Sequence, residues 1–248
     1  MIVIPMAGLS SRFTRAGYTT PKYKLPLNGF TVFDYALASF RDVFDSEVFL
    51  FVAMNQPGLR DFLSERLALL GIRKYHVILL ENMTRGQAET VALGLDLASV
   101  GDDVPITVFN IDTFCLTLYV PLSIRFPEVA GVLQVFRGDG DSWSFVEPDP
   151  EKPGRALRTA EKVRISDLCC TGLYQFACVG KYRQAYRTEL DAPQAKELYI
   201  APIYNHLIAQ GDTIAYEEVA AEDVVFCGVP AEYEALLQPD NPLRGRAP

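Results

Sequence analysis

Short, wholly apolar runs alternate with stretches of helical periodicity through the first half of this chain, and that alternation is its strongest constraint. The runs cover residues 1–6 (MIVIPM), 47–54 (EVFLFVAM), 75–81 (YHVILLE) and 105–112 (PITVFNID). Between them, residues 31–44 place Phe33, Leu37, Phe40 and Phe44 at helical spacing behind Thr31, a residue suited to an N-cap. Residues 57–71 put Leu59, Phe62, Leu63, Leu67 and Leu70 on one face and stop at Gly71. Residues 84–98 turn Ala88, Val91, Ala92 and Leu95 inward. Strands that are apolar on both faces, each followed by a helix, call for a parallel sheet covered on both sides, an α/β fold.

The second half is less regular. Residues 130–136, 143–148, 154–163 and 170–177 read as strands joined by polar turns. Residues 196–211 read as a helix, 213–219 and 224–229 as strands, and 231–237 as a short helix. The Pro/Gly-rich stretch 238–248 is expected to be loosely ordered. With no repeat and no low-complexity linker, one domain over residues 1–237 is expected.

Charge and composition remove several function classes. A net charge of −8 on 248 residues argues against a general nucleic-acid binder, which needs a basic face. A local cluster of cations for a small phosphate ligand remains compatible with it. The absence of about 18 uninterrupted apolar residues predicts no membrane-spanning helix. The first residues lack a basic segment and a long apolar core, so they read as a strand rather than a signal peptide. Cys115, Cys169, Cys170, Cys178 and Cys227 show no C-x-x-C spacing and read as reduced thiols of a cytoplasmic protein. His76 and His206 are isolated and sit in no metal-type motif.

The segment after the first strand, AGLSSRFTRAGYTTPKYKLPLNG (residues 7–29), is longer than a structural turn needs. A loop there lies at the carboxyl edge of the sheet, where open α/β folds bind ligands. Gly8 lets the backbone approach an anion. Successive N–H groups and the Ser10 and Ser11 hydroxyls can donate to phosphate oxygens, and Arg12 adds a forked cation. The Walker A and dinucleotide-binding glycine patterns are both absent. On residues alone, the alternative is a Ser-capped turn with a surface Arg.

Five further stretches follow in order: TPKYKLPLNG (20–29), TRGQAETV (84–91), FNIDT (109–113), AEKVRIS (160–166) and TGLYQF (171–176). With them the chain resembles the sugar-phosphate nucleotidyltransferases, the NDP-sugar pyrophosphorylases, across roughly residues 1–235. The closer resemblance is to their short members of capsule and lipopolysaccharide precursor synthesis. It implies a Rossmann-like, three-layer nucleotide-diphospho-sugar transferase fold with a mostly parallel mixed sheet. Residues 1–113 would be the nucleotide-binding half and 114–237 the acceptor-binding half. The implied reaction joins a nucleoside triphosphate to a sugar 1-phosphate and releases pyrophosphate. The charge, the missing apolar span and the thiols give a cytoplasmic enzyme expected to meet neither nucleic acid nor membrane, and the resemblance alone implies a homodimer.

The resemblance distributes roles residue by residue. Ala7, Gly8, Ser10, Ser11 and Arg12 would cradle the departing phosphates, and Lys22 would touch the α-phosphate or bridge the reactants. Lys24 stands where the family usually has an apolar residue. Gly86 and Gln87 would meet the nucleobase edge, with Asn110 beside them. Thr84 and Gln87 also have capping-box spacing, which explains both structurally. Asp112 would hold Mg²⁺, an ion that prefers one or two carboxylates with phosphate oxygens and water; otherwise it caps the following turn. Glu161 and Lys162 resemble the family's acceptor-binding pair, and Gly172 would let the sugar lie against the backbone. Trp143 reads as a core or rim residue, and Tyr174 and Phe176 as core.

The pattern departs in two places. Many members have Gly where this chain has Ser10. Many also carry a second metal-binding Asp two residues before a Gly-Thr-Pro. Here Gly228 and Pro230 match, Val229 replaces Thr, and Phe226 stands at the Asp position, leaving Asp223 or phosphate oxygens to complete the ion's shell. Two other readings follow: a glycosyltransferase of the same fold, which would need a D-x-D-type motif that residues 110–112 supply only in half, and a weak or non-catalytic nucleotide- or sugar-binding protein.

Overall fold

A computed structural model describes residues 1–121 and 128–248. The strands are β1 (Ile2–Met6), β2 (Pro26–Leu27), β3 (Phe30–Thr31), β4 (Phe49–Met54), β5 (Tyr75–Leu80), β6 (Ile106–Phe109) and β7 (Thr113–Cys115) in the first half. They continue as β8 (Gly131–Arg137), β9 (Ser144–Pro148), β10 (Ala156–Glu161), β11 (Leu168–Phe176), β12 (Ile214–Glu218) and β13 (Val224–Phe226). The helices among the described residues are α1 (Ser11–Arg15), α2 (Val32–Ala38), α3 (Leu59–Leu70), α4 (Gln87–Leu97), α5 (Val179–Asp191), α6 (Ile203–Ala209) and α7 (Pro230–Leu236).

The four apolar runs of the first half become the parallel block β6-β1-β4-β5. Alternation along each strand loads both faces. Ile2, Ile4, Phe49 and Phe51 pack with α2 and α3, while Val3, Leu50 and Val52 pack with α4, α5 and α6. The result is three layers. Edge strand β5 is exposed at Tyr75 and His76 and buried only at Leu80, as an outer strand is.

Beyond β6 the nine-stranded sheet turns mixed. Strand β11 runs antiparallel to β6 and β8, and β12 lies parallel to β8. One edge of β11 faces β8. Its other edge serves β6 over Leu173–Phe176 and β9 at Cys169. The β9–β10 hairpin therefore stands past the carboxyl end of β6 and walls the space above it.

Helix α2 begins as expected. Thr31 accepts the Asp34 N–H, and Asp34 returns the bond to Thr31 N–H at 2.7 Å. It ends at Ala38, earlier than its periodicity suggests, and a 3₁₀ turn spans Arg41–Val43. Helix α3 stops at Gly71, with Leu59, Leu63 and Leu67 buried and Phe62 and Leu70 half-buried.

Two expectations are corrected, and one helix is added. Of the helix expected over 196–211, only α6 forms. The Leu198 N–H donates to Arg85 O at 3.1 Å and its carbonyl accepts from Ala88 N–H at 2.8 Å, so its backbone serves the loop before α4 and cannot join a helical ladder. Helix α5 was not foreseen, although Val179, Tyr182, Ala185 and Tyr186 recur at helical spacing and are buried. Residues 239–248 carry no helix or strand, yet they are held: Leu243 is buried, and Tyr35 Oη donates to Arg246 O at 3.0 Å.

Among the described residues no helix is long and apolar enough to cross a membrane. All five cysteines are free thiols. His206 bonds the buried Glu189 at 2.7 Å, a packing role.

Candidate active site

A cleft of about 970 Å³ opens at the carboxyl ends of β1 and β6. It brings together Ala7, Gly8, Ser10, Ser11, Arg12, Lys22, Gly86, Gln87, Asn110, Asp112, Glu161 and Lys162. Gly172 and Asp223 are not in its lining.

The loop after β1 forms the first wall. Ser10 adopts a left-handed backbone (φ 52°) just before α1, a conformation that costs a non-glycine residue energy and here turns the chain sharply into the helix. Its hydroxyl accepts the Lys22 N–H at 3.3 Å, which ties the two halves of the loop together. The first turn of α1 leaves N–H groups without intrahelical acceptors. Arg12 is exposed at the cleft and has no carboxylate partner among the described residues. Lys24 is turned elsewhere, its Nζ lying 5.0 Å over the Phe62 ring.

Asp112 follows β6 and receives the Lys22 ammonium on Oδ2. Gly228 separates it from Glu232, whose Oε2 accepts the N–H groups of Gly228 at 2.7 Å and Val229 at 3.1 Å. Glu232 thus caps α7. Phe226 pairs in register with Thr113, next to Asp112, and its side chain offers no oxygen to an ion. Asp223 ends a 3₁₀ turn outside the cleft, so it supplies no replacement. Among the described residues no group of three or more His, Cys, Asp or Glu is placed to hold a metal. One cleft carboxylate, Asp112, paired with Lys22 through Oδ2, fits a Mg²⁺ ion whose other ligands are phosphate oxygens and water.

The second wall starts at Gly86. A Cβ there would lie 2.5 Å from the Leu198 carbonyl oxygen, so the glycine is required by a backbone crossing it. The expected capping box of Thr84 and Gln87 does not form. Thr84 Oγ1 bonds Gly86 O at 3.2 Å and Thr90 Oγ1 at 2.8 Å, and Gln87 Nε2 donates to Asn110 Oδ1 at 2.5 Å. Glu89 does the reaching back, taking the Arg85 N–H at 2.5 Å and the Arg85 guanidinium at 2.6 Å. Burial would raise the Glu89 carboxyl, but these bonds overcome it and hold it below its ordinary value. Leu9 and Met83 are exposed apolar side chains at this end of the cleft.

The third wall is the β9–β10 hairpin. Burial pushes the Glu161 carboxyl above its ordinary value, against the opposing pull of the Ser144 hydroxyl and of Lys162 Nζ at 3.8 Å. Lys162 has a left-handed backbone (φ 55°) and donates to Tyr199 Oη at 2.6 Å. Burial would lower the Lys162 ammonium, and the Tyr199 bond and nearby carboxylates raise it instead. Gly172 (φ 99°) has a structural reason: a Cβ there would meet Asn110 Nδ2 at 2.4 Å, so the bend in β11 needs glycine for Asn110 to fit.

Sequence reasoning missed Glu197, Tyr199 and Glu232 and took Tyr174 as core; all four line the cleft, Tyr174 while nearly fully buried. Tyr199 and Glu197 were hidden inside a stretch with helical composition. Glu232 carried a signal, since a Glu three residues after Val229 is capping-box spacing.

No protein-family model matches the chain, and no curated protein matches it either. Solved structures do. A nucleoside-diphosphate-sugar pyrophosphorylase from Vibrio cholerae RC9 is 47% identical over 96% of this chain and 99% of its own, with a TM-score of 0.89. An inositol-1-phosphate CTP transferase from T. maritima shares the fold at 16% identity, over 100% of this chain and 97% of its own, with a TM-score of 0.72. A UTP-bound UGPase from Acinetobacter baumannii does so at 15% identity, over 98% and 95%, with a TM-score of 0.70. Identity of 47% along nearly the whole length of the first of these places the chain in a family: it belongs to the nucleoside-diphosphate-sugar pyrophosphorylases and is a nucleotidyltransferase.

Proposed function

We propose that this enzyme transfers a nucleoside monophosphate from a nucleoside triphosphate to a sugar 1-phosphate, releasing pyrophosphate, in the cytoplasmic supply of surface-polysaccharide precursors. The observation that carries the proposal is one cleft lined by a cationic β1–α1 loop, the Gly86–Gln87 helix start and the Glu161–Lys162 pair, with Lys22 and Asp112 in the same lining.

In this reading Gly86 and Gln87 face the nucleobase, and the N–H groups of the loop with Ser10 and Ser11 receive the β- and γ-phosphates. Lys162 holds the acceptor phosphate and Glu161 a sugar hydroxyl. A phosphate oxygen of the acceptor bonds the α-phosphorus as the bond from that phosphorus to its bridging oxygen breaks. Pyrophosphate leaves with the electron pair, and no proton transfer is required. Such chemistry depends on positioning and charge neutralisation. Lys22 neutralises the α-phosphate, and Arg12 the charge that grows on the leaving group. Mg²⁺, when bound, would offset triphosphate charge, with Asp112 as its protein ligand.

The test is pyrophosphate release in Mg²⁺ with each common nucleoside triphosphate against a panel of sugar 1-phosphates. The expected result is pyrophosphate in equal amount to a nucleotide sugar. Release of inorganic phosphate alone, or no product with any pair, would refute the proposal.

A further inference from the structure

Resting on that reading, we infer that Trp143 and Phe226 form an aromatic platform on which the acceptor's sugar ring lies, and that this platform sets acceptor specificity. The two rings sit 4.7 Å apart at 53°, and both line the cleft. Phe136 backs them, edge-on to Trp143 at 5.2 Å and tilted against Phe226 at 5.2 Å. Phe136 is buried, whereas Trp143 and Phe226 are half-buried, so their remaining surface is what meets the cleft.

The polar atom of this surface is already committed. Trp143 Nε1–H donates to Asp139 O at 3.0 Å, so the indole offers the cleft carbon. Phe226 offers nothing else. Two apolar side chains left wet in a cleft are unfavourable, and an amphipathic ligand relieves that cost.

The platform adjoins groups suited to the ligand's polar edge. Ser144 follows Trp143 directly and holds the Glu161 carboxylate, and the Lys162 N–H donates to Trp143 O at 2.8 Å. A pyranose presents a flat C–H face and a rim of hydroxyls. The C–H face matches the two rings, and the rim matches Glu161. An acyclic phosphorylated polyol has no comparable face. Phe226 thus exchanges an ion-binding position for an acceptor-binding one.

Trp143 is the single tryptophan of the chain, so its fluorescence reports directly on this surface. The experiment titrates pyranosyl 1-phosphates into the full-length enzyme, following emission, and measures KM for both substrates in wild type, Phe226→Leu and Trp143→Phe. Phe226→Leu keeps an apolar side chain but removes the flat face. Expected are a saturable emission change in wild type and a KM for the acceptor raised about three- to tenfold in Phe226→Leu, the range for one lost aromatic contact. The KM for the nucleoside triphosphate stays unchanged in both variants. No emission change with an acceptor that turns over, or an unchanged acceptor KM in both variants, overturns the platform; so does an equal rise in both KM values, which would mark general damage. Saturable emission changes without pyrophosphate release in wild type would support the platform and overturn the reaction instead.

Discussion

The Lys22 ammonium rests on the Asp112 carboxylate, 90 positions further along the chain. One comes from the long loop after β1 and the other from the end of β6, two strands that lie side by side in the sheet. The pair is partly buried, with each side chain about one-fifth exposed, so the charges are only partly screened. In the proposed reaction a cation entering at Asp112 competes with Lys22 for the carboxylate, and the ammonium it frees is available to the triphosphate.

That exchange gives the first expectation. Asp112→Asn should lower kcat by roughly 10²-fold or more. Lys22→Met should lower kcat similarly while tightening Mn²⁺ binding to the nucleotide-free enzyme, because the carboxylate loses its internal competitor. Electron paramagnetic resonance of free Mn²⁺ measures the second effect. An unchanged Mn²⁺ affinity in Lys22→Met would show that the two cations do not compete.

Arg12 isolates charge stabilisation from folding. It is exposed and has no ion-pair partner among the described residues, so Arg12→Ala should leave stability within about 0.5 kcal/mol of wild type. Its kcat should fall about 10²-fold. Arg12→Lys should recover only part of the loss, since an ammonium lacks the forked geometry. Steady-state kinetics beside urea unfolding separate the two quantities.

Gly86 tests the crossing of Leu198. Gly86→Ala would force a Cβ to 2.5 Å from a backbone oxygen, which a flexible side chain cannot relieve. A cost of about 3 kcal/mol in unfolding free energy is expected. Gly140 is the control: it has positive φ but open space around its Cβ position, so Gly140→Ala should cost only about 1 kcal/mol. Equal losses at the two positions would mean that backbone conformation alone, without the crossing, sets the penalty.

Glu161 predicts a pH dependence. Burial raises its carboxyl above the ordinary 4.5, so the folded state binds the proton more tightly than the unfolded chain. Below 4.5 both states are protonated and the burial penalty is absent. As pH rises through the folded value, ionisation in the folded state becomes unfavourable and stability falls. Glu161→Gln should therefore be more stable than wild type near pH 7, with the gain vanishing below about pH 4. Thermal unfolding across this range measures it, and a pH-independent difference would rule out the titration. The same variant should bind the acceptor more weakly.

The sequence by itself determined the three-layer frame and the loop that opens the cleft. Alternating apolar runs and helical stripes are properties of neighbouring residues, and so are the Thr31–Asp34 cap and the cations placed just after β1. Local spacing is enough to state them, because each is a choice the chain makes within one or two turns. Tertiary structure alone decided who meets whom. It laid Lys22 on Asp112, sent Leu198 across Gly86, spent Glu232 on a helix cap, and tilted Phe226 against Trp143. These contacts depend on how β11 divides its edge between β6 and β9 and on which loops the resulting wall brings close. That geometry comes from burying two cores at once, and no local stretch of sequence carries it.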